Sequence, residues 1–189
     1  LDLSKNSLYF TASLATWHTS CGSCRGSLPI MKLASLLTND QVILDMKAEE
    51  HWPAIVELVE HLDRHDFLKG ESKDEVLEAL HAREDQISTG IGSGVAIPHA
   101  FSEKLDHVVA VFGRSKVGID FEALDNAPVN FVLLFVVPKK EYHMHLQTLA
   151  AIAKLFNNCE VRKQLAKAET RDEVIDILGS RPSRIHCER

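Results

Sequence analysis

Between residues 52 and 62, apolar side chains return every three or four positions: Ala54, Ile55, Leu58, Val59 and Leu62. That period lays them along one helix face, and Trp52-Pro53 opens the element, because proline suits a first helical turn. Ser72-x-x-Glu75 stands ahead of Val76, Leu77 and Leu80. It has the form of a capping box and predicts a second helix running to Glu84. The pattern then changes. His107–Ser115 alternates weakly around Val108, Val109, Val111 and Phe112, as a strand does. Pro128–Val137 is rich in Val and Phe and stops at Pro138, which predicts a buried strand. Its unbroken apolar core, Val132–Val137, is far short of the about 20 residues a membrane-spanning helix needs. Helical spacing resumes over Glu141–Asn157, with a predicted core stripe of Leu146, Leu149, Ala150, Ala153 and Phe156. Two short helices follow near Glu160–Ala166 and Arg171–Leu178, the last ended by Gly179. Helices and strands mixed on this scale predict an α/β domain of three layers, a central mixed sheet flanked by helices.

Composition narrows the class. The chain has 189 residues, 45% hydrophobic and 25% charged, which fits one ordinary domain with tails. Its formal net charge of -6, with no basic run, gives no electrostatic footprint for nucleic acid. Residues 1–30 are rich in Ser and Thr and carry no periodicity, so they read as an N-terminal tail. They lack a basic start followed by a long apolar core, which argues against a signal peptide. The domain is expected over 31–180, with 181–189 as a C-terminal tail. Cys21, Cys24, Cys159 and Cys187 are too sparse for a disulfide framework, so a reducing cytoplasm is expected. Cys21-x-x-Cys24, with His18, is at most half a zinc site, because no second pair follows at ribbon spacing.

The candidate chemistry lies in "TGIGSGVAIPHA", Thr89–Ala100. Gly90, Gly92 and Gly94 permit positive φ, and the successive backbone N–H groups of Gly92, Ser93, Gly94 and Val95 can form an anion-binding concavity. Ile97 precedes proline and is pushed towards extended geometry, while Pro98 fixes its own φ. His99 is thereby held on a short, stiff stem. The spacing fits neither a dinucleotide fingerprint nor a Walker loop. His145 lies near the start of the long helix at the rim of its apolar face, where negative charge is favoured. Arg83 ends the second helix a few residues before the loop, and a guanidinium there suits phosphate oxygens. Each also has a plainer reading: Arg83 as a cation offsetting a helix C-terminus, and His143 and His145 as solvated helix surface. A metal set drawn from His99, His143 and His145 lacks a carboxylate or further ligand placed by spacing.

"STGIGSGVAIPHA" together with "HLQTLAAIAKLF" resembles the enzyme IIA domain of the bacterial phosphotransferase system, fructose/mannitol class, and most of all its stand-alone nitrogen-related members. "AREDQISTGIG" and "ALDNAPVNFVLLFVVP" fit as well, and the resemblance covers about residues 32–180. It implies a mixed sheet flanked by helices. It implies that His99 is phosphorylated by the phosphocarrier HPr or its nitrogen-branch paralogue. The group then passes to a IIB partner or is held as a signal. His145 matches the family's second histidine, which helps hold the phosphoryl group, and Arg83 matches an arginine near the site. No metal, nucleotide or other cofactor is implied. Ser93 stands where asparagine is frequent, and Ala100 where glycine is frequent. The rival expectations are a purely regulatory protein switched by the same histidine, and a metal-dependent hydrolase using His99, His143 and His145.

Overall fold

The computed structural model describes residues 33–180. After two single 3-10 turns, the chain forms β1 (Val42–Ile43), α1 (His51–Arg64) and α2 (Lys73–Glu84). Then come β2 (Gly90–Gly92), β3 (Val95–Ala96), β4 (His99–Ser102), β5 (Val109–Ile119) and β6 (Val129–Pro138). A 3-10 turn leads to α3 (Tyr142–Phe156), α4 (Cys159–Lys167) and α5 (Arg171–Gly179). The six strands form one mixed sheet in the order β1-β5-β6-β3-β2, with β4 also paired to β6. β5 and β6 are antiparallel, whereas β3 and β4 both run parallel to β6. β3 and β4 are therefore successive pieces of one line along β6, interrupted only at Ile97-Pro98. Proline has no N–H to give to a ladder, but the Pro98 carbonyl accepts from Phe135 N at 3.0 Å and keeps the line in register.

β6 is apolar on both faces because helices cover both. Val132, Leu134 and Val136 join the core under α1 and α2, while Phe131, Leu133, Phe135 and Val137 join the core under α3, α4 and α5. Two-residue alternation feeding two cores is what makes the domain three-layered. At full burial each Leu, Val or Phe side chain contributes about 1.5–3 kcal/mol. β5 alternates likewise, down to Arg114, which is 5% exposed on the α4 side.

The capping box predicted at Ser72 is present, with the Ser72 side chain accepting from Glu75 N. Three expectations need correction. The strand beginning near His107 runs on to Ile119, because the register slips between Arg114 and Ile119 and lets Lys116 and Val117 bulge outward. On α3, Ala150 is exposed, and Ile152 and Leu155 are buried with Phe156. The stripe lies one position round the helix from the one read off the sequence, because the large side chains win the face against the sheet. Gly179 ends α5 without a left-handed cap. Its role is close approach, since an added Cβ would stand 3.0 Å from Ala34 Cβ. In addition, Cys159 at the start of α4 is disulfide-bonded, which runs against the reduced cysteines expected from their sparse spacing. Cys21, Cys24, both tails and the side chains of 142–147 lie outside the described residues.

Candidate functional site

The site is assembled where α2 packs against β4. His99 opens β4 opposite Phe135 and is partly buried. Its Nδ1 lies 3.0 Å from the Ile97 carbonyl, two residues back along its own chain. A carbonyl only accepts, so Nδ1 carries the proton and Nε2 the lone pair. The Arg83 Nε–H points at that lone pair at 3.3 Å, while Arg83 Nη1 donates to the Ile87 carbonyl at 2.9 Å. Burial pushes the His99 pKa below the ordinary histidine value. The Ile97 carbonyl opposes the shift, the Arg83 charge adds to it and the Glu84 charge opposes it. The result is a neutral imidazole whose Nε2 faces a fixed cation, an arrangement suited to attack on an anionic electrophile.

The end of α2, which carries Arg83, is anchored by the adjacent Glu84. Glu84 takes a 3.0 Å hydrogen bond from Thr89 N and a short one from Thr89 Oγ1, and lies 3.1 Å from His51 Nε2. Burial pushes the Glu84 carboxyl up, but the bonds from His51 and Thr89 outweigh it, and its pKa is held below the usual value. These contacts tie the end of α2 to the entry of β2 and to the first residue of α1. Sequence reasoning missed His51, Glu84 and Thr89. Glu84 directly follows Arg83, but only the fold shows that its carboxylate reaches forward to Thr89 and across to α1.

The glycine segment is differently built from the expectation. Gly90–Gly92 and Val95–Ala96 form a hairpin, and Gly92, Ser93 and Gly94 make its turn with φ of +88°, +58° and +77°. The turn is anchored away from His99. Gly94 O accepts from Asn130 N and Phe131 N, and Ser93 N donates to Asp125 Oδ2 at 2.7 Å. Phe131 to Phe135 is four residues of strand, so the turn sits about 13 Å from the level of His99. Ser93, Gly94 and Val95 therefore do not form an anion cradle beside His99. The Ser93 N–H is already engaged by the Asp125 carboxylate. Gly90 is part of the ladder, facing Ala96. Of the remaining predicted residues, His143 and His145 fall in the first turns of α3, and their side chains lie outside the described residues. Among the described residues no three His, Cys, Asp or Glu side chains could hold a metal together. No helix there is long and apolar enough to cross a membrane.

The three-layer domain thus sets one neutral histidine beside one arginine where α2 packs on β4. Comparison with known proteins makes the class definite. The chain belongs to the phosphoenolpyruvate-dependent sugar phosphotransferase system EIIA 2 family, whose model matches residues 35–180. It is 38% identical over 149 residues to the fructose-specific EIIABC component of Bacillus subtilis, covering 79% of this chain and 23% of that protein. It is 30% identical over 153 residues to a nitrogen regulatory protein of Bradyrhizobium diazoefficiens, covering 81% of this chain and 98% of that one. The crystal structure of nitrogen regulatory protein IIA-Ntr from Neisseria meningitidis superposes with a TM-score of 0.72 at 30% identity, covering 77% of this chain and 97% of that one. The protein is thus a IIA-type phosphotransferase component with a carrier or regulatory role.

Proposed function

We propose that His99 is the phosphoryl acceptor and that Nε2 is the atom that carries the group. The observation that supports this most directly is the pair of contacts on the ring: Nδ1 tied to the Ile97 carbonyl and Nε2 facing Arg83. The donor is an HPr-type phosphohistidine protein. As the Nε2 lone pair forms the new N–P bond, the donor's N–P bond breaks and its electrons return to the donor imidazole. Such a transfer is loose and depends on positioning and charge more than on proton movement. Arg83 meets the equatorial oxygens and must swing only from the ring nitrogen to the group that arrives on it. His145 is assigned to hold the same group. Its support is the family resemblance and the backbone course, since β6 passes Phe135 beside His99 and turns into α3 just beyond Pro138. The phosphotransferase unit is assigned to residues 31–180, working in the cytoplasm. The group passes on to a IIB component or is retained as a signal.

The test is intact mass after incubation with phosphoenolpyruvate, enzyme I and HPr, with His99→Ala in parallel and a brief acid treatment afterwards. One acid-labile phosphate on the wild type and none on the variant is expected. A variant that still gains the phosphate would move the acceptor elsewhere.

A further inference from the structure

The strongest feature outside the His99 site is a cleft of about 460 Å³ between the far end of the β5–β6 pair and α4. Arg114 and Lys116 from β5 and Arg162 and Lys163 from α4 line it, with the polar groups of Ser115 and Asn130 between them. No carboxylate is among its lining residues. That is unexpected in a chain of net charge -6. Lys116 reaches Asp45 outside the cleft at 3.7 Å, but Arg114, Arg162 and Lys163 form no ion pair among the described residues.

Arg114 is the informative residue. Its Nη1 donates to the carbonyls of Leu165, Ala166 and Ala168 at 2.8, 3.3 and 2.6 Å, and its Nε donates to Leu44 O at 3.0 Å. Those bonds satisfy the last carbonyls of α4, which accounts for a cation at that helix end. They leave Nη2 without a protein acceptor among the described residues. Arg114 is 5% exposed and is one of the residues that line the cleft. Arg162 likewise donates to the Phe156 carbonyl at the end of α3, but no capping role accounts for Lys116 and Lys163 lining the same space. Like charges gathered without acids repel one another, and a bound anion relieves the repulsion.

We propose that this cleft is a binding site for a small metabolite bearing a phosphate monoester. A fixed planar guanidinium with open N–H groups suits a tetrahedral dianion, and the flexible cations Lys116 and Lys163 supply the balancing charge at the rim. The volume lies in the range of small-molecule sites, and Phe131 offers an apolar wall for the organic part. Ser93, the tip of the β2–β3 turn, also lines the cleft. Occupancy thus touches the hairpin that leads through Ile97-Pro98 to His99. The site is separate from the phosphoryl-carrying one and does not depend on it.

The experiment uses the full, unphosphorylated chain with no donor present. Glucose 6-phosphate, inorganic phosphate, citrate and glucose are titrated by calorimetry and by amide chemical-shift mapping. Glucose 6-phosphate is expected to saturate with a Kd below about 1 mM, and glucose not to bind. The moving resonances are expected at Ser115, Asn130 and Ser93. The double variant Lys116→Glu, Lys163→Glu changes only exposed side chains. It is expected to weaken binding at least about tenfold with an unchanged melting temperature. No saturation by about 10 mM would overturn the proposal. So would equal binding of citrate, equal affinity in the double variant, or shifts centred on His99 and Arg83. Because no phosphotransfer is measured, a failure here leaves the His99 assignment standing, and a failure there leaves this one.

Discussion

The chemistry proposed for His99 draws on two of its hydrogen bonds, and each can be tested through the other. The Ile97 carbonyl fixes which nitrogen holds the proton, while Arg83 supplies positive charge at the opposite nitrogen. Burial, with the arginine added, keeps the ring neutral at a pH where an ordinary histidine begins to charge. Replacing Arg83 by Gln removes the charge but keeps a donor of similar reach. The His99 pKa is expected to rise in that variant, and phosphoryl acceptance to slow by about tenfold or more, since a charge-assisted contact in the transition state is lost. Titration of the ring resonance by NMR, alongside transfer rates, reads both effects. If the pKa stays where it is, Arg83 does not govern the ring. Arg83 is in the right place because Glu84, bonded to Thr89 and His51, anchors the last turn of α2.

At the scale of the element, the hairpin β2–β3 does structural work that its glycines alone do not reveal. Gly94 adopts φ +77°, and a Cβ there would stand 3.3 Å from Asn130 Oδ1. Gly94→Ala is therefore expected to cost about 1–2 kcal/mol of stability, the penalty of a left-handed conformation for a residue with a side chain. It is expected to leave phosphoryl acceptance on His99 nearly unchanged, because the turn is anchored at Asn130 and Phe131 rather than at the ring. Denaturant melts and the mass assay separate these effects. A stable variant that cannot be phosphorylated would restore the turn as part of the phosphate site. The same logic explains why β3 and β4 sit in one line. Pro98 turns its carbonyl to Phe135 N on β6, while Ile97 N donates to Thr89 O and the Ile97 carbonyl meets His99 Nδ1 on its own chain.

At the scale of the whole molecule, stability couples to pH through buried imidazoles. Burial lowers the pKa of His99, and burial likewise lowers that of His61, whose Nε2 contacts the Asp40 carbonyl at 2.6 Å. Below the unfolded histidine value of about 6.5, the unfolded chain binds protons that the folded chain does not. Stability present above that pH is thus lost as pH falls towards the lower, folded values. The thermal midpoint is expected to drop between about pH 7 and pH 5.5. His61→Gln and His99→Gln are each expected to flatten the decline. A pH-independent midpoint over that interval would mean that neither ring is held neutral by the fold. Two cores on opposite faces of one sheet make such coupling global, because the His99 strand pairs with β6, whose side chains feed both cores.

Periodicity in the sequence determined α1, α2, the β6 strand and the three-layer class, since those elements bury a continuous face and their apolar spacing has to match it. The sequence likewise singled out His99, Pro98 and Arg83, because proline and glycine restrict the backbone locally and their effects can be read in place. The two-residue strands β1 and β3 carry no pattern of their own and exist only because β5 and β6 offer them partners. The face of α3 was settled by the sheet beneath it, which took Ile152 and Leu155 in preference to Ala150. That Glu84 ties the end of α2 to Thr89 and His51, that Ser93 N bonds Asp125, and that four cations from β5 and α4 line one cleft were decided by tertiary structure alone. Hydrogen bonds and charges act over a few ångströms of space, and residues dozens of positions apart reach that distance only when the chain has folded.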